Sequence, residues 1–147
     1  VTGGAAPKRK GSTIELVTER DWQQTITDTL TMLGYLVCHV FPLQTSKGWK
    51  TPTSIRGWPD ITAVGRGHIL FVEVKGERTP VTAEQLQVLE VLATPECARS
   101  WIVRPTDDYD TIAGWIARPA TSPRRFGWTD DTYDNAIHNV DRRTSRR

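Results

Sequence analysis

Gly57-Trp58-Pro59-Asp60-Ile61-Thr62-Ala63-Val64, then the turn Gly65-Arg66-Gly67-His68, then Ile69-Leu70-Phe71-Val72-Glu73-Val74-Lys75, is the segment on which the fold turns. Residues 69–74 are rich in β-branched and large apolar types, the composition of a strand covered on both faces. The glycine-bearing turn makes an antiparallel pairing of the two runs natural. That pairing sets the start of the first run beside the end of the second, bringing Asp60 to Glu73 and Lys75. Residues two apart on a strand share a face, so Glu73 and Lys75 project side by side. Taken singly, each charge has an ordinary account: a strand-end ion pair of Glu73 with Lys75, and an Asp after Pro59 for turn chemistry. Taken together, two carboxylates at the end of a buried sheet suit a hard cation, and the lysine supplies a group that handles protons or charge.

On the N-terminal side, Thr18-Glu19-Arg20-Asp21 has the capping-box pattern of a helix start. Trp22, Ile26, Leu30 and Leu33 follow at helical spacing, with Gly34 as the stop. Glu19 extends the inward stripe, and a carboxylate in the first turn also suits the helix dipole. Tyr35 to Phe41 reads as a strand in which His39 is a satisfied structural residue. Pro42 to Arg56 reads as a long polar loop carrying Lys47, Trp49, Lys50 and Arg56. Cations interleaved with an aromatic suit a loop that meets nucleic acid, although loops are also polar simply because they are wet.

On the C-terminal side, Gly76 to Pro80 is a turn that places Arg78 near the proposed site. Thr82 is a helix N-cap with Gln85 at the third position, where it completes a capping box. Leu86, Leu89 and Leu92 or Ala93 face inward. Arg99 to Val103 is a last strand and Asp107 to Ala117 a third helix. The order is α-β-β-β-α-β followed by a helix, an α/β fold with a mixed central sheet flanked by helices. Residues 118–147 turn Pro-, Arg- and Ser-rich, with a short amphipathic helix expected around Tyr133, Ile137 and Val140.

At 147 residues the chain holds one domain, and six tryptophans argue against disorder over most of it. Its expected divisions are a flexible basic lead-in at 1–12, a folded domain at 13–117 and a basic extension at 118–147. The net charge of +2 is no nucleic-acid signal by itself, but basic residues gather at both ends, in Lys8-Arg9-Lys10 and in Arg142-Arg143 with Arg146-Arg147. Two isolated cysteines, Cys38 and Cys97, fit a reducing compartment and no zinc spacing. With no apolar run of transmembrane length, the chain reads as a soluble cytoplasmic protein.

Pro59-Asp60 followed by Glu73-Val74-Lys75 resembles the bipartite signature of the PD-(D/E)XK nuclease superfamily. Gly57-Trp58-Pro59-Asp60 with Thr82-Ala83-Glu84-Gln85 is similar, more narrowly, to its VRR-NUC branch, which includes small stand-alone phage and bacterial members. The resemblance spans roughly residues 18–117 and implies a restriction-endonuclease-like αβββαβ core. It implies hydrolysis of DNA phosphodiester bonds with Mg²⁺ or Mn²⁺, leaving 5′-phosphate ends, on branched, flapped or Holliday-junction DNA. By that resemblance Asp60 and Glu73, with the Val74 carbonyl and waters, hold the ion. Lys75 orients or deprotonates the attacking water, or neutralises charge growing on the phosphorane. Glu19 matches a glutamate that relatives carry on the first helix, binding a second ion or orienting water. Gln85 matches a glutamine at the start of the second helix. A homodimer would let so small a domain span a junction. Two rival readings are a non-catalytic DNA-binding module on the same fold, against which the intact Asp60, Glu73 and Lys75 argue, and a restriction-type endonuclease subunit, for which no added recognition domain is visible.

Overall fold

A computed structural model of the chain describes residues 17–50 and 52–128. The lead-in at 1–12 and the helix expected around Tyr133, Ile137 and Val140 lie outside the described residues. Helix α1, Glu19–Met32, starts at the expected cap: the Asp21 N–H donates to Thr18 Oγ1 at 3.1 Å, and the Thr18 N–H donates back to the Asp21 carboxylate at 3.3 Å. Trp22, Ile26 and Leu30 are buried along one stripe, and Gly34, at φ +86°, turns the chain into strand β1, Leu36–His39.

The segment read as a plain polar loop contains a small antiparallel hairpin, β2 (Leu43–Thr45) with β3 (Gly48–Lys50), separate from the main sheet. Every residue of both strands is exposed, so there is no buried face to print an alternating apolar pattern on the sequence. Strands β4 (Ile61–Gly65) and β5 (His68–Val74) pair antiparallel as expected, with Ile61 opposite Val72 and Gly65 opposite His68. The two residues between them, Arg66 and Gly67, both have positive φ (53° and 74°), the type I′ turn that matches strand twist. The Arg66 guanidinium donates to the Leu33 and Ala117 carbonyls, which holds a non-glycine residue in this conformation.

Helix α2 (Ala83–Leu92), strand β6 (Ala98–Val103) and helix α3 (Tyr109–Ala117) follow. The chain then makes a 3₁₀ turn at Pro119–Thr121 and a two-residue strand β7, Arg125–Phe126. The sheet order is β1-β4-β5-β6-β7, antiparallel for β1–β4 and β4–β5 and parallel for β5–β6 and β6–β7. This is the expected α/β architecture with a mixed sheet, to which the β2–β3 hairpin and β7 are additions. The folded part also runs past the boundary drawn at residue 117. The Ser100 N–H donates to the Arg124 carbonyl at 2.7 Å, Trp101 Nε1 donates to the Pro123 carbonyl at 2.9 Å, and Phe126 packs edge-on against Trp115. A strand of two residues is too short for any periodicity to announce it.

Strand alternation divides the core into two layers. Ile61, Ala63, Leu70, Val72, Val74, Trp101 and Val103 face α1 and α3, packing with Ile26, Leu30, Ile112 and Ile116. Ile69, Phe71, Ala98 and Ile102 face α2, packing with Leu86 and Leu89. The odd-numbered positions of β5 therefore point at α2, and the next of these after Phe71 is Glu73.

Candidate active site

Glu73 occupies a position that alternation reserves for an apolar side chain, and it is only 2 % exposed. Lys75, two residues on and 8 % exposed, places Nζ 3.1 Å from Glu73 Oε1. Asp60 arrives across the β4–β5 hairpin, where its Oδ2 accepts the Val74 N–H at 2.8 Å. The hairpin register thus brings Asp60, Glu73 and Lys75 together, as the sequence anticipates. Val74 is the pivot: its amide holds Asp60 while its side chain is buried in the layer beneath α1.

Gln85 makes the expected cap and also reaches Glu73. Its Oε1 accepts the Thr82 N–H at 3.0 Å, closing the α2 capping box, and its Nε2 donates to Glu73 Oε1 at 2.6 Å. Lys75 and Gln85 therefore converge on the same oxygen. The other, Oε2, is buried without a hydrogen-bond partner.

Burial raises the pKa of Asp60, against the pull of the Val74 amide and Lys75. Burial likewise raises Glu73, and the neighbouring Asp60 charge adds to it, so that Glu73 is pushed up to about 8 despite its ion pair with Lys75. Desolvation and like charge outweigh the lysine here, so Glu73 holds its proton near neutral pH unless a cation is present. Glu19 pushes both in the same direction, which places its charge near the pair. Its Oε2, however, accepts the Gly76 N–H at 2.8 Å. Among the described residues no three His, Cys, Asp or Glu side chains converge as a metal-ligand group. Glu19 does not, then, complete a three-carboxylate set, and its visible role is to hold the backbone just after Lys75.

Arg104, which the sequence reading passed over, holds the same turn from the other side. Its Nη1 donates to the Gly76 carbonyl at 2.6 Å and the Thr79 carbonyl at 2.7 Å. The signal was its place directly after β6, beside the end of β5, but a parallel register across a crossover is not visible in sequence.

A cleft of about 420 Å³ opens over Asp60 and Gln85, and Trp49, Lys50, Arg56 and Trp58 line it. Trp49, Lys50 and Arg56, read in sequence as a loop that meets nucleic acid, are thereby brought beside Asp60. Lys47, in the hairpin turn, and Arg78, exposed in the 76–80 turn, are not among its lining residues. Trp58 was quoted for the resemblance but given no role. It anchors the cleft wall, stacked edge-on against Phe71 and donating Nε1 to Thr62 Oγ1 at 3.2 Å. His39 is half-buried, hydrogen-bonded to Gln23 and packed on Phe41, a satisfied strand residue; burial lowers its pKa.

The carboxylates make stability pH-dependent in a metal chelator. Folded Glu73 keeps its proton up to about pH 8, whereas the unfolded chain releases it near 4.5. The folded state binds more protons between those values, so stability falls as pH rises through that window and levels off above it. The raised Asp60 acts in the same sense. The expected result is a melting temperature that declines from about pH 4.5 to 8 in chelator. Glu73→Gln, which keeps the shape without the charge, should flatten that decline. Mg²⁺ or Mn²⁺ should raise the wild-type melting temperature more at pH 8 than at pH 5. A wild-type profile as flat as that of the variant would overturn this electrostatic account.

No family model and no curated protein matches the chain. Among solved structures it is similar to the crystal structure of a protein of unknown function, AF1548, at 13 % identity with a TM-score of 0.32. The similarity covers 65 % of this chain and 53 % of that one, so the chain spans about half the length of the structure it matches.

Proposed function

We propose that the protein is a metal-dependent deoxyribonuclease that hydrolyses phosphodiester bonds. The observation that carries this reading is Glu73, a carboxylate buried where an apolar residue belongs, with one oxygen unpartnered, beside Asp60, which lines a cleft bearing Lys50 and Arg56. A buried, unpaired carboxylate oxygen is costly, and a cation between the two acids would offset that cost. The donors are oxygens alone, which suits Mg²⁺ or Mn²⁺ and not a soft metal.

Asp60, Glu73 and the Val74 carbonyl would hold the ion, which when bound stabilises charge on the phosphate and lowers the pKa of a bound water. The chain's own residues do the remainder. The Val74 amide aims Asp60, and Gln85 with Lys75 fixes the rotamer of Glu73. Lys75 presents its ammonium at the reacting centre, where it orients the attacking water or offsets negative charge building on phosphorus. Lys50 and Arg56 hold flanking phosphates from the cleft wall. Symmetric cutting of a branched DNA would require two such clefts, which a homodimer supplies, and the proposed setting is the cytoplasm. Among the described residues no helix is long and apolar enough to cross a membrane.

The test is cleavage of end-labelled single-stranded, duplex, flap and four-way-junction DNA with Mg²⁺, with Mn²⁺ and in chelator. Metal-dependent products ending in 5′-phosphate are expected. Binding without cutting under every metal condition would replace this reading with the DNA-binding module.

A further inference from the structure

The β2–β3 hairpin has no core of its own. A two-stranded hairpin exposed on both faces is marginal in water, and this one also presents Trp49 at 72 % exposure and Leu43 at 56 %. Its position explains what such a surface is for. Trp49 stands with Lys50 in the lining of the cleft that contains Asp60 and Gln85. Next to the cleft, sharing Trp58 with it, lies an apolar groove of about 700 Å³ whose lining includes His39, Phe41, Leu43 and Ile55. The chemistry of its occupant is constrained by charge: residues 29–59, which build the hairpin and both recesses apart from Asp60 and Gln85, contain no Asp or Glu, while Lys47, Lys50 and Arg56 are basic. A ligand following this surface is therefore anionic along its backbone and carries flat, apolar groups. The bases of an intact duplex are stacked inside it and cannot reach a protruding indole or an apolar groove. Unpaired nucleotides can, and ring stacking is how single strands are held without regard to sequence.

We propose that Trp49 is a stacking platform for an unpaired base held beside this cleft. The inference deepens the nuclease reading and rests on it for the path of the phosphates. Trp49 is a specificity residue in this scheme. It touches the base and leaves the carboxylates undisturbed.

The test uses the full chain in chelator, with oligonucleotides carrying 2-aminopurine in a single strand, in a blunt duplex, or in the splayed end of a duplex. Wild type is expected to quench the fluorophore at unpaired positions. Trp49→Ala should lose that quenching and bind the unpaired strand about tenfold or more weakly, while its duplex affinity stays within about threefold; Trp49→Phe, which keeps a ring, should retain most of both. Equal weakening on duplex and single strand would overturn the proposal by reducing Trp49 to a general contact. So would unchanged single-strand binding, or a change in the protein's oligomeric mass in place of its DNA affinity. Cleavage of the same substrates with Mg²⁺ separates the two readings. If wild type never cuts but Trp49→Ala behaves as expected, the stacking site stands and the nuclease falls. If wild type cuts and Trp49→Ala binds unpaired DNA normally, the reverse holds.

Discussion

Asp60→Ala is expected to lower metal-dependent cleavage by a factor on the order of 10³, with DNA affinity in chelator little changed. Asp60 lines the cleft beside the buried Glu73, and it is anchored by the Val74 N–H at 2.8 Å. An alanine there leaves a cation with Glu73 as its sole acidic ligand, which is a weak site for an ion that binds mainly through charge. Lys50 and Arg56 line the same cleft and would keep their proposed phosphate contacts, so binding and chemistry should separate. Lys75→Ala should give a comparable loss by a different route, because the ion can still bind while charge developing in the transition state goes unanswered. Removing Asp60 also removes a like charge that helps push Glu73 up, so the pH-dependent fall in melting temperature in chelator should shrink in Asp60→Ala. It has no reason to shrink in Lys75→Ala, where the opposing positive charge has been lost. Single-turnover cleavage, Mn²⁺ titration calorimetry and melting curves together read these out. Cleavage at the wild-type rate by both variants would place the chemistry on other residues.

Gly57→Ala should destabilise the fold by about 2–4 kcal/mol and dismantle the site with it. Gly57 has φ +84°, a conformation that costs a residue with a side chain on the order of 1 kcal/mol or more. Space is the larger obstacle. A Cβ at this position would stand 2.7 Å from the Glu84 carbonyl carbon and oxygen and 2.8 Å from the Gln85 nitrogen, all backbone atoms of the first turn of α2. Backbone cannot rotate away as a side-chain tip can, so the loop and the helix start must part. That movement carries Gln85 off Glu73 and widens the cleft between Arg56 and Gln85. The expected signature is a lower melting temperature together with a loss of cleavage that persists well below the transition. Gly34→Ala serves as the control, since Gly34 also has positive φ but a Cβ there would meet nothing within 4 Å. If the two variants lose equal stability and Gly57→Ala keeps full activity, the close approach to α2 carries no weight.

The parts of this molecule that were legible in advance are those whose determinants lie within a few residues of one another. Both capping boxes, Thr18 with Asp21 and Thr82 with Gln85, close over three residues, and each forms as read. The β4–β5 hairpin is set by two turn residues, and once the turn is fixed the strand period leaves no freedom over which groups face Asp60. The triad Asp60, Glu73 and Lys75 was visible for that reason. The cap made by Gln85 was visible too, because the helix start alone supplies it, whereas its contact with Glu73 was not foreseen: the resemblance placed this glutamine beside Lys75.

What escaped reading depends on pairings between distant segments or on faces that bury nothing. The β2–β3 hairpin leaves no apolar period because neither of its faces is covered, and β7 is too short to have one. Arg104 reaches Gly76 and Thr79 only because β6 lies parallel to β5 in a particular register after a helical crossover. Glu19 comes near the site, and its hydrogen bond to the Gly76 amide follows from how α1 packs against the end of β5. By itself, then, the sequence determined the order of elements, their caps and the local carboxylate–lysine cluster, since short-range sterics and a period of two decide these. The tertiary structure alone decided which distant groups close around that cluster. Their approach is set by the packing of helices on two faces of a twisted sheet, a long-range balance that no local pattern encodes.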